Sequence, residues 1–177
     1  MQLESVIEKR RSIRKFQERK IPEEKISEVL GLANLAPSAG NLQARRVAVI
    51  KEEKIKNKIS QATFGQSFVG KAPLIFVVCA DLKASAQKYR ERGRELYAIQ
   101  DATILAAYLQ LAITDQGLGS CWIGAFSDQK IKEILSLPKE LKPIALLPTG
   151  FPAEDPSPSS RKKIRELVFD KHETNKK

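Results

Sequence analysis

The run Leu74-Ile75-Phe76-Val77-Val78-Cys79 constrains this chain more than any other stretch. Six apolar residues without polar alternation read as a strand, over residues 73–80, buried on both faces. Such a strand needs cover above and below its sheet, so helices must lie on both sides. The sequence supplies them. Residues 94–116 predict a long helix, apolar on several sides from Ile104 to Ile113, and Gly117 ends it as a C-cap glycine. A helix that greasy belongs in the centre of a core.

The remaining elements fall around this pair. Leu3, Val6 and Ile7 share one face of a helix over residues 2–11. Pro22 opens a second helix, with Glu23 and Glu24 well placed against its dipole. Ile26, Val29, Leu30 and Ala33 form its buried stripe, and Pro37 stops it. A short strand follows at 47–50, then a Lys/Glu-rich helix at 52–62 carrying Ile55 and Ile59. Residues 64–71 contain two glycines and read as a loop or broken turn. Residues 84–92 read as a mobile, charged helical or loop segment. A strand is expected at 119–124 and a short helix at 128–135, with Ser127 as N-cap. The last strand is expected at 143–150, where Pro148 argues for an end or an edge. A Pro/Ser linker covers 155–160, and 163–171 is open between helix and strand. The order predicts a mixed sheet between helices, in one domain over residues 1–177, with 172–177 as a mobile polar tail.

Composition excludes several function classes. A chain of 177 residues with 42% hydrophobic and 29% charged residues is globular rather than disordered. No run of about 18 apolar residues marks a membrane span. The N-terminus lacks the apolar core of a signal peptide, so the expected location is the cytoplasm. Cys79 and Cys121 sit singly in apolar runs and read as buried free thiols. His172 is the one histidine and lies in a polar tail, which disfavours a His-centred triad or metal site. The net charge of +10 gathers at the ends. Residues 1–20 and residues 161–177 each carry seven basic against three acidic side chains. There is no zinc-finger spacing and no RNP-type aromatic motif, so neither a dedicated nucleic-acid partner nor a membrane partner is expected.

Arg10-Arg11-Ser12-Ile13-Arg14 is the densest part of that charge. Guanidinium forks match phosphate oxygens and stay charged at any working pH. A serine hydroxyl adds a donor to the same anion. Taken alone, a solvated basic helix end is the simpler reading. Three other stretches favour the anion. Pro37 to Gln43 places Ser38, Asn41 and Gln43 in one small-residue loop, where they offer donors and acceptors to a flat heterocycle, or simply close a turn. Gly117 to Gly124, around Trp122 and Ile123, permits close approach of backbone to a ligand, or simply joins a helix cap to a core strand. Arg161-Lys162 follows the Pro/Ser linker.

In order and over nearly the whole chain, these stretches resemble the nitroreductase family of flavoproteins. The resemblance rests on RRSIRKF (10–16), APSAGNLQ (36–43), GQSFVGKAPLIFVV (65–78), GLGSCWIGAF (117–126) and the basic segment at Arg161. It implies an α+β three-layer sandwich with a mixed, mostly antiparallel sheet, and a homodimer with FMN at the subunit interface. Arg10, Ser12 and Arg14 would hold the phosphate and ribityl chain, with Arg11 adjacent and Arg161 returning to the same phosphate. Pro37, Ser38, Asn41 and Gln43 would reach the flavin from the partner chain. Gln66 would face the pyrimidine edge, and backbone at Trp122, Ile123 and Gly124 would meet the ring near N5. NAD(P)H would reduce the flavin, which would pass electrons to nitro compounds, quinones or similar acceptors. No catalytic side chain is then required.

The chain departs from the family pattern after Gln43, where Ala44-Arg45-Arg46 replaces a proline and a large aromatic. Arg45 and Arg46 are therefore candidates for binding an anionic substrate or the nicotinamide cofactor's phosphate. The charged segment 83–94 is either a cover for the flavin or a solvated linker. Other flavin chemistry on the same fold, such as dehalogenation or ene reduction, and a flavin-binding or nucleic-acid-associated protein without turnover are the alternatives.

Overall fold

The computed structural model describes residues 2–168. His172 and the expected 172–177 tail lie outside the described residues, as does the end of the undecided 163–171 segment. The helices are α1 (Leu3–Lys9), α2 (Glu23–Asn34), α3 (Glu53–Gln61), α4 (Phe68–Lys71), α5 (Leu82–Arg92), α6 (Ala98–Asp115), α7 (Asp128–Ile134) and α8 (Ile164–Leu167). The strands are β1 (Arg45–Ile50), β2 (Leu74–Asp81), β3 (Gly119–Ser120) and β4 (Leu141–Gly150). They form one sheet in the order β1-β2-β4-β3.

Strand β2 lies inside the sheet, and its side chains alternate between two cores. Leu74, Phe76, Val78 and Ala80 join α2 and α6 on one face. Ile75, Val77 and Cys79 join Ile59 of α3, Val69 of α4 and Ile131 of α7 on the other. The uninterrupted apolar run is therefore explained by burial on both faces. Helices cover both sides of the sheet, which makes three layers and an α+β fold. The ladders are antiparallel, and an isolated parallel bridge joins Ser12 to Ser120. By length and composition the helical stretch 82–115 could cross a membrane. Instead α6 packs on α2 and the sheet, with Leu105, Leu109 and Ile113 buried.

Three expectations change. Pro148 does not mark an edge, because β4 runs through it between β2 and β3. Its carbonyl accepts from the Cys121 amide at 3.4 Å, so its missing N–H faces the side where the short β3 ladder has already ended. The strand expected at 119–124 is regular only at Gly119–Ser120, and it rejoins β4 at a single bridge, Ile123 to Leu146. Residues 64–71, expected as a loop or broken turn, hold helix α4 at Phe68–Lys71. Of the two readings open for 84–92 the helical one holds, broken at Arg90, and the Asp81 carboxylate caps α5 by accepting from the Ala84 amide at 3.0 Å. A π turn at Gly93–Tyr97 then joins α5 to α6.

Leu109 is fully buried in the α6 core. Leu109→Ala is expected to lower unfolding stability by about 2–5 kcal/mol. Urea titration at fixed protein and flavin concentration measures the loss.

Candidate functional site

Helix α1 ends at Lys9, and Arg10 leaves it with an extended ψ of 120°. The next residues dock on β3. The Ile13 amide donates to the Ser120 carbonyl at 3.0 Å. Ile13 is buried in the space that Gly119 leaves open, since a Cβ at residue 119 would fall 2.6 Å from its Cγ1. Farther on, the amides of Arg14 and Lys15 both donate to the Glu154 carboxylate, and the Ala153 amide donates to the Lys15 carbonyl at 2.9 Å. The Arg14 amide is the main cause that holds the Glu154 carboxyl below its usual range. Residues 12–15 are thus fixed between β3 and the chain leaving β4.

That chain then folds back over the arginines. Arg10, Arg11, Ser12, Arg14 and Arg161 line one open cavity of about 630 Å³. Its other wall is Pro156 to Ser159, the Pro/Ser linker. The cavity gathers four guanidiniums against one lining carboxylate, Glu8. Arg11 donates to the backbone carbonyls of Glu8 and Arg10, and Arg161 donates to those of Ser159 and Ser160. None of the four is in a salt bridge with a described carboxylate. Cys121 lies beside this cluster. Burial pushes its thiol up, against the opposing pull of Arg14, Ser12 and Arg10. Cys79 is buried in the sheet, and its thiol is pushed up to about 12 by the same loss of solvent. Both cysteines are free thiols, as their apolar settings imply.

The loop 37–43 is built at the other end of α6. Gly40, Asn41 and Gln43 all take left-handed backbone angles, with φ of 55°, 57° and 50°. Only glycine does so without strain. What holds them is Asp101, which sequence reasoning missed. Its carboxylate is 1% exposed and accepts from the Ala39 amide at 2.9 Å and the Ala44 amide at 3.3 Å. It therefore clamps both sides of the loop. Within the loop the Ser38 hydroxyl accepts from the Gln43 amide at 2.9 Å. Asn41 and Gln43 remain exposed, as does Pro37. The signal available in the sequence was an aspartate inside the apolar run 98–109, where a carboxylate must have partners.

Arg45 is not available to a substrate. It is 6% exposed and donates to the carbonyls of Asn34, Ala36 and Pro37 at 3.1, 2.6 and 3.0 Å. These are the unsatisfied acceptors beyond the C-terminus of α2, which a buried cation serves well. Burial lowers the Arg45 pKa, and Asp101 opposes that shift. Arg46 stays exposed and pairs with Asp81 at 3.4 Å. The two adjacent arginines point to opposite faces of β1, as strand geometry requires.

Residues 122–124 and Gln66 form a third group. Trp122 is half-buried against the α6 core, Ile123 is buried, and Gly124 is exposed beyond it. The Gln66 side-chain amide donates to the carbonyls of Thr63 and Ala125 at 3.0 and 3.1 Å. This ties the 63–66 turn to the residue after Gly124. Residues 122–124 follow β3, on which Ser12 and Ile13 dock, although they do not line the arginine cavity. The 37–43 loop lies far from β3. About 20 Å of α6 separates Asp101 from the turn that enters β3. One chain brings the arginines, Ser12 and Arg161 together and holds Ser38, Asn41 and Gln43 apart from them.

The described residues form an α+β sandwich with one open cavity lined by four arginines and Ser12. The chain belongs to the nitroreductase family, whose model matches residues 7–69 and 61–151. An NADH dehydrogenase of Thermus thermophilus is 33% identical, covering 91% of this chain and 92% of its own. An FMN reductase (NADPH) of Bacillus subtilis is 29% identical over 81% of this chain and 63% of its own. The crystal structure of a nitroreductase family protein from Streptococcus pneumoniae superposes with a TM-score of 0.88, covering 96% of this chain and all of that one. At 23% identity that likeness concerns the fold.

Asp101→Ala would strand two loop amides. The expected cost is about 1–3 kcal/mol for each donor left unsatisfied. Amide exchange should accelerate most at residues 38–44, and exchange spread evenly over the chain would contradict the clamp.

Proposed function

We propose that this chain is an FMN-dependent oxidoreductase that draws on NADH or NADPH and reduces nitro compounds, quinones or similar acceptors. The observation that carries this reading is the cavity lined by four arginines and Ser12, none of the arginines in a salt bridge with a described carboxylate. A phosphate monoester suits that donor set. Guanidinium forks bind phosphate oxygens through charge-assisted hydrogen bonds of about 1.5–3 kcal/mol each. The concave, two-sided arrangement favours a small anion over a nucleic-acid backbone, which needs an extended basic stripe.

Arg10, Ser12 and Arg14 would hold the FMN phosphate and ribityl chain, with Arg11 and Arg161 closing over the phosphate. The exposed backbone at Gly124 lies where the chain leaves the cavity along β3, so it and Ile123 would meet the ring near N5. Bound FMN supplies the redox chemistry, taking hydride from a reduced nicotinamide and yielding electrons to the acceptor. The protein's part is to fix the phosphate, orient the ring and leave one face open. No described residue is a histidine, and this division of labour requires none.

A homodimer follows from the separation of the two halves of the site. Asn41 and Gln43 are exposed, Ser38 is half-buried, and all three lie far from their own arginines, so they would serve the flavin held by the partner chain. Apolar side chains on the described surface support such an interface. Leu3 and Ile7 of α1 are 67% and 55% exposed, and Ile164, Leu167 and Val168 beyond the linker are exposed as well. Side chains of this kind at both ends of a chain mark a protein–protein contact.

Arg10→Ala and Arg14→Ala test the anchor. Each should weaken FMN affinity at least about tenfold, as loss of one charge-assisted bond implies. The urea midpoint of the flavin-free protein should stay near that of the parent. Stoichiometric flavin in both purified variants would overturn the assignment.

A further inference from the structure

The corner where α5 meets the π turn carries positive charge that neither the fold nor the flavin anchor uses. Between Leu82 and Tyr97 there are five cations, Lys83, Lys88, Arg90, Arg92 and Arg94, against Glu91 and Glu95. Two of them are engaged within the chain. Arg92 donates to the Tyr97 hydroxyl at 2.9 Å, and Arg94 pairs with Glu140 at 2.9 Å. Lys88 and Arg90 are exposed and form no salt bridge with a described carboxylate.

Lys88 has a defined position. A Cβ at Gly40 would lie 3.0 Å from the Lys88 Nζ and 2.4 Å from the Tyr89 Oη. The ammonium and the phenol therefore rest directly on the 39–41 turn, the one clamped by Asp101. The ammonium also stands over the Tyr89 ring, 5.4 Å from its centroid, and Tyr89 packs edge-on to Tyr97 at 5.0 Å. Next to them Arg90 has φ 51° and ψ −133°, a conformation that a non-glycine residue adopts only when its surroundings impose it. The strained residue directly follows Lys88 and Tyr89, which rest against the loop. Strain of that kind gathers at binding sites.

We infer that Lys88, supported by Tyr89 and with Arg90 beside it, is a specificity-determining residue that selects substrates carrying an anionic group next to a flat ring. The inference rests on the flavin reading above, which places the 37–43 loop at the ring of the bound cofactor. A cation on that loop's outer side then meets whatever stacks on the open face. Two substrates carry such an anion: an aromatic acceptor with a carboxylate on the stacked ring itself, and a nicotinamide dinucleotide whose extra phosphate sits on the adenosine ribose, next to the adenine ring rather than the stacked nicotinamide. Lys88 is a strong candidate for either because its charge is unspent and its position is fixed by packing rather than by an ion pair.

The test uses the purified yellow protein, its Lys88→Glu variant and a control, Lys54→Glu, which makes the same charge change on the exposed surface of α3. The quantities compared are NADPH against NADH and 4-nitrobenzoate against 4-nitrobenzamide, as kcat/KM and as dissociation constants for NADP⁺ against NAD⁺ and for the two nitro compounds on oxidised protein. Reversal of a rim charge should lower the anionic-to-neutral ratio roughly tenfold in one pair, more than removal of an exposed pair would. A change in the first pair assigns the nucleotide phosphate, and a change in the second assigns the acceptor carboxylate. Both ratios unchanged, or shifted equally in Lys54→Glu, would overturn the inference while leaving the flavin reading intact. Parent protein that is colourless and cannot be loaded with FMN would overturn the flavin reading and this inference with it.

Discussion

A single backbone hydrogen bond, from the Ile13 amide to the Ser120 carbonyl, brings the basic N-terminal run onto the sheet. It works because residue 119 is a glycine. With any side chain there, Ile13 would lose its seat, and Arg10, Ser12 and Arg14 would lose their reference to β3. Everything proposed for the cavity depends on that seat. The arginines need no precise partners of their own, since the backbone that carries them is fixed at Ser120 on one side and at Glu154 on the other.

The 37–43 loop depends on two buried charged side chains, Asp101 and Arg45. Asp101 clamps the two sides of the 37–43 loop, and Arg45 satisfies the carbonyls beyond α2 from which that loop departs. Their burial costs desolvation, and hydrogen bonds to five backbone groups offset it. The result is a loop whose left-handed residues are held by hydrogen bonds from within the chain. Preorganisation of this kind spares a cofactor the cost of ordering the loop. Helix α6 has Asp101 near one end and the turn to β3 at the other. A helix of that length keeps the 37–43 loop and the arginine cavity about 20 Å apart within one chain, which is why a second copy is proposed to complete the site.

Much of this was legible before any coordinates. The apolar run at 74–79 specified a doubly covered strand, and the apolar band at 104–113 specified the helix that covers it. The ordered motifs placed Arg10, Arg11, Ser12, Arg14 and Arg161 in one cavity although 147 residues separate Arg14 from Arg161. What remained illegible has a common cause: long-range partners decide the meaning of a polar residue. Arg45 reads as a binder of an anionic substrate until the end of α2 is seen beneath it. Asp101 draws no reading from the sequence, and its role emerges only when Ala39 and Ala44 are found to donate to it. Pro148 reads as an end or an edge until the broken ladder beside it removes the need for its N–H. In each case the deciding neighbour lies in another segment of the chain.

The central claim is that one flavin site is assembled from two chains. Subunit mixing tests it directly. An arginine-null chain (Arg10→Ala, Arg14→Ala) and a loop-null chain (Ser38→Ala, Asn41→Ala, Gln43→Ala) should each fail to retain FMN alone. Unfolded and refolded together, half of their dimers are mixed, and each mixed dimer regains one intact site. Flavin content should therefore return to about one quarter of the parent's. Flavin absent from the mixture, with mixed dimers demonstrated by mass, would contradict the shared site and place the whole cofactor on one chain.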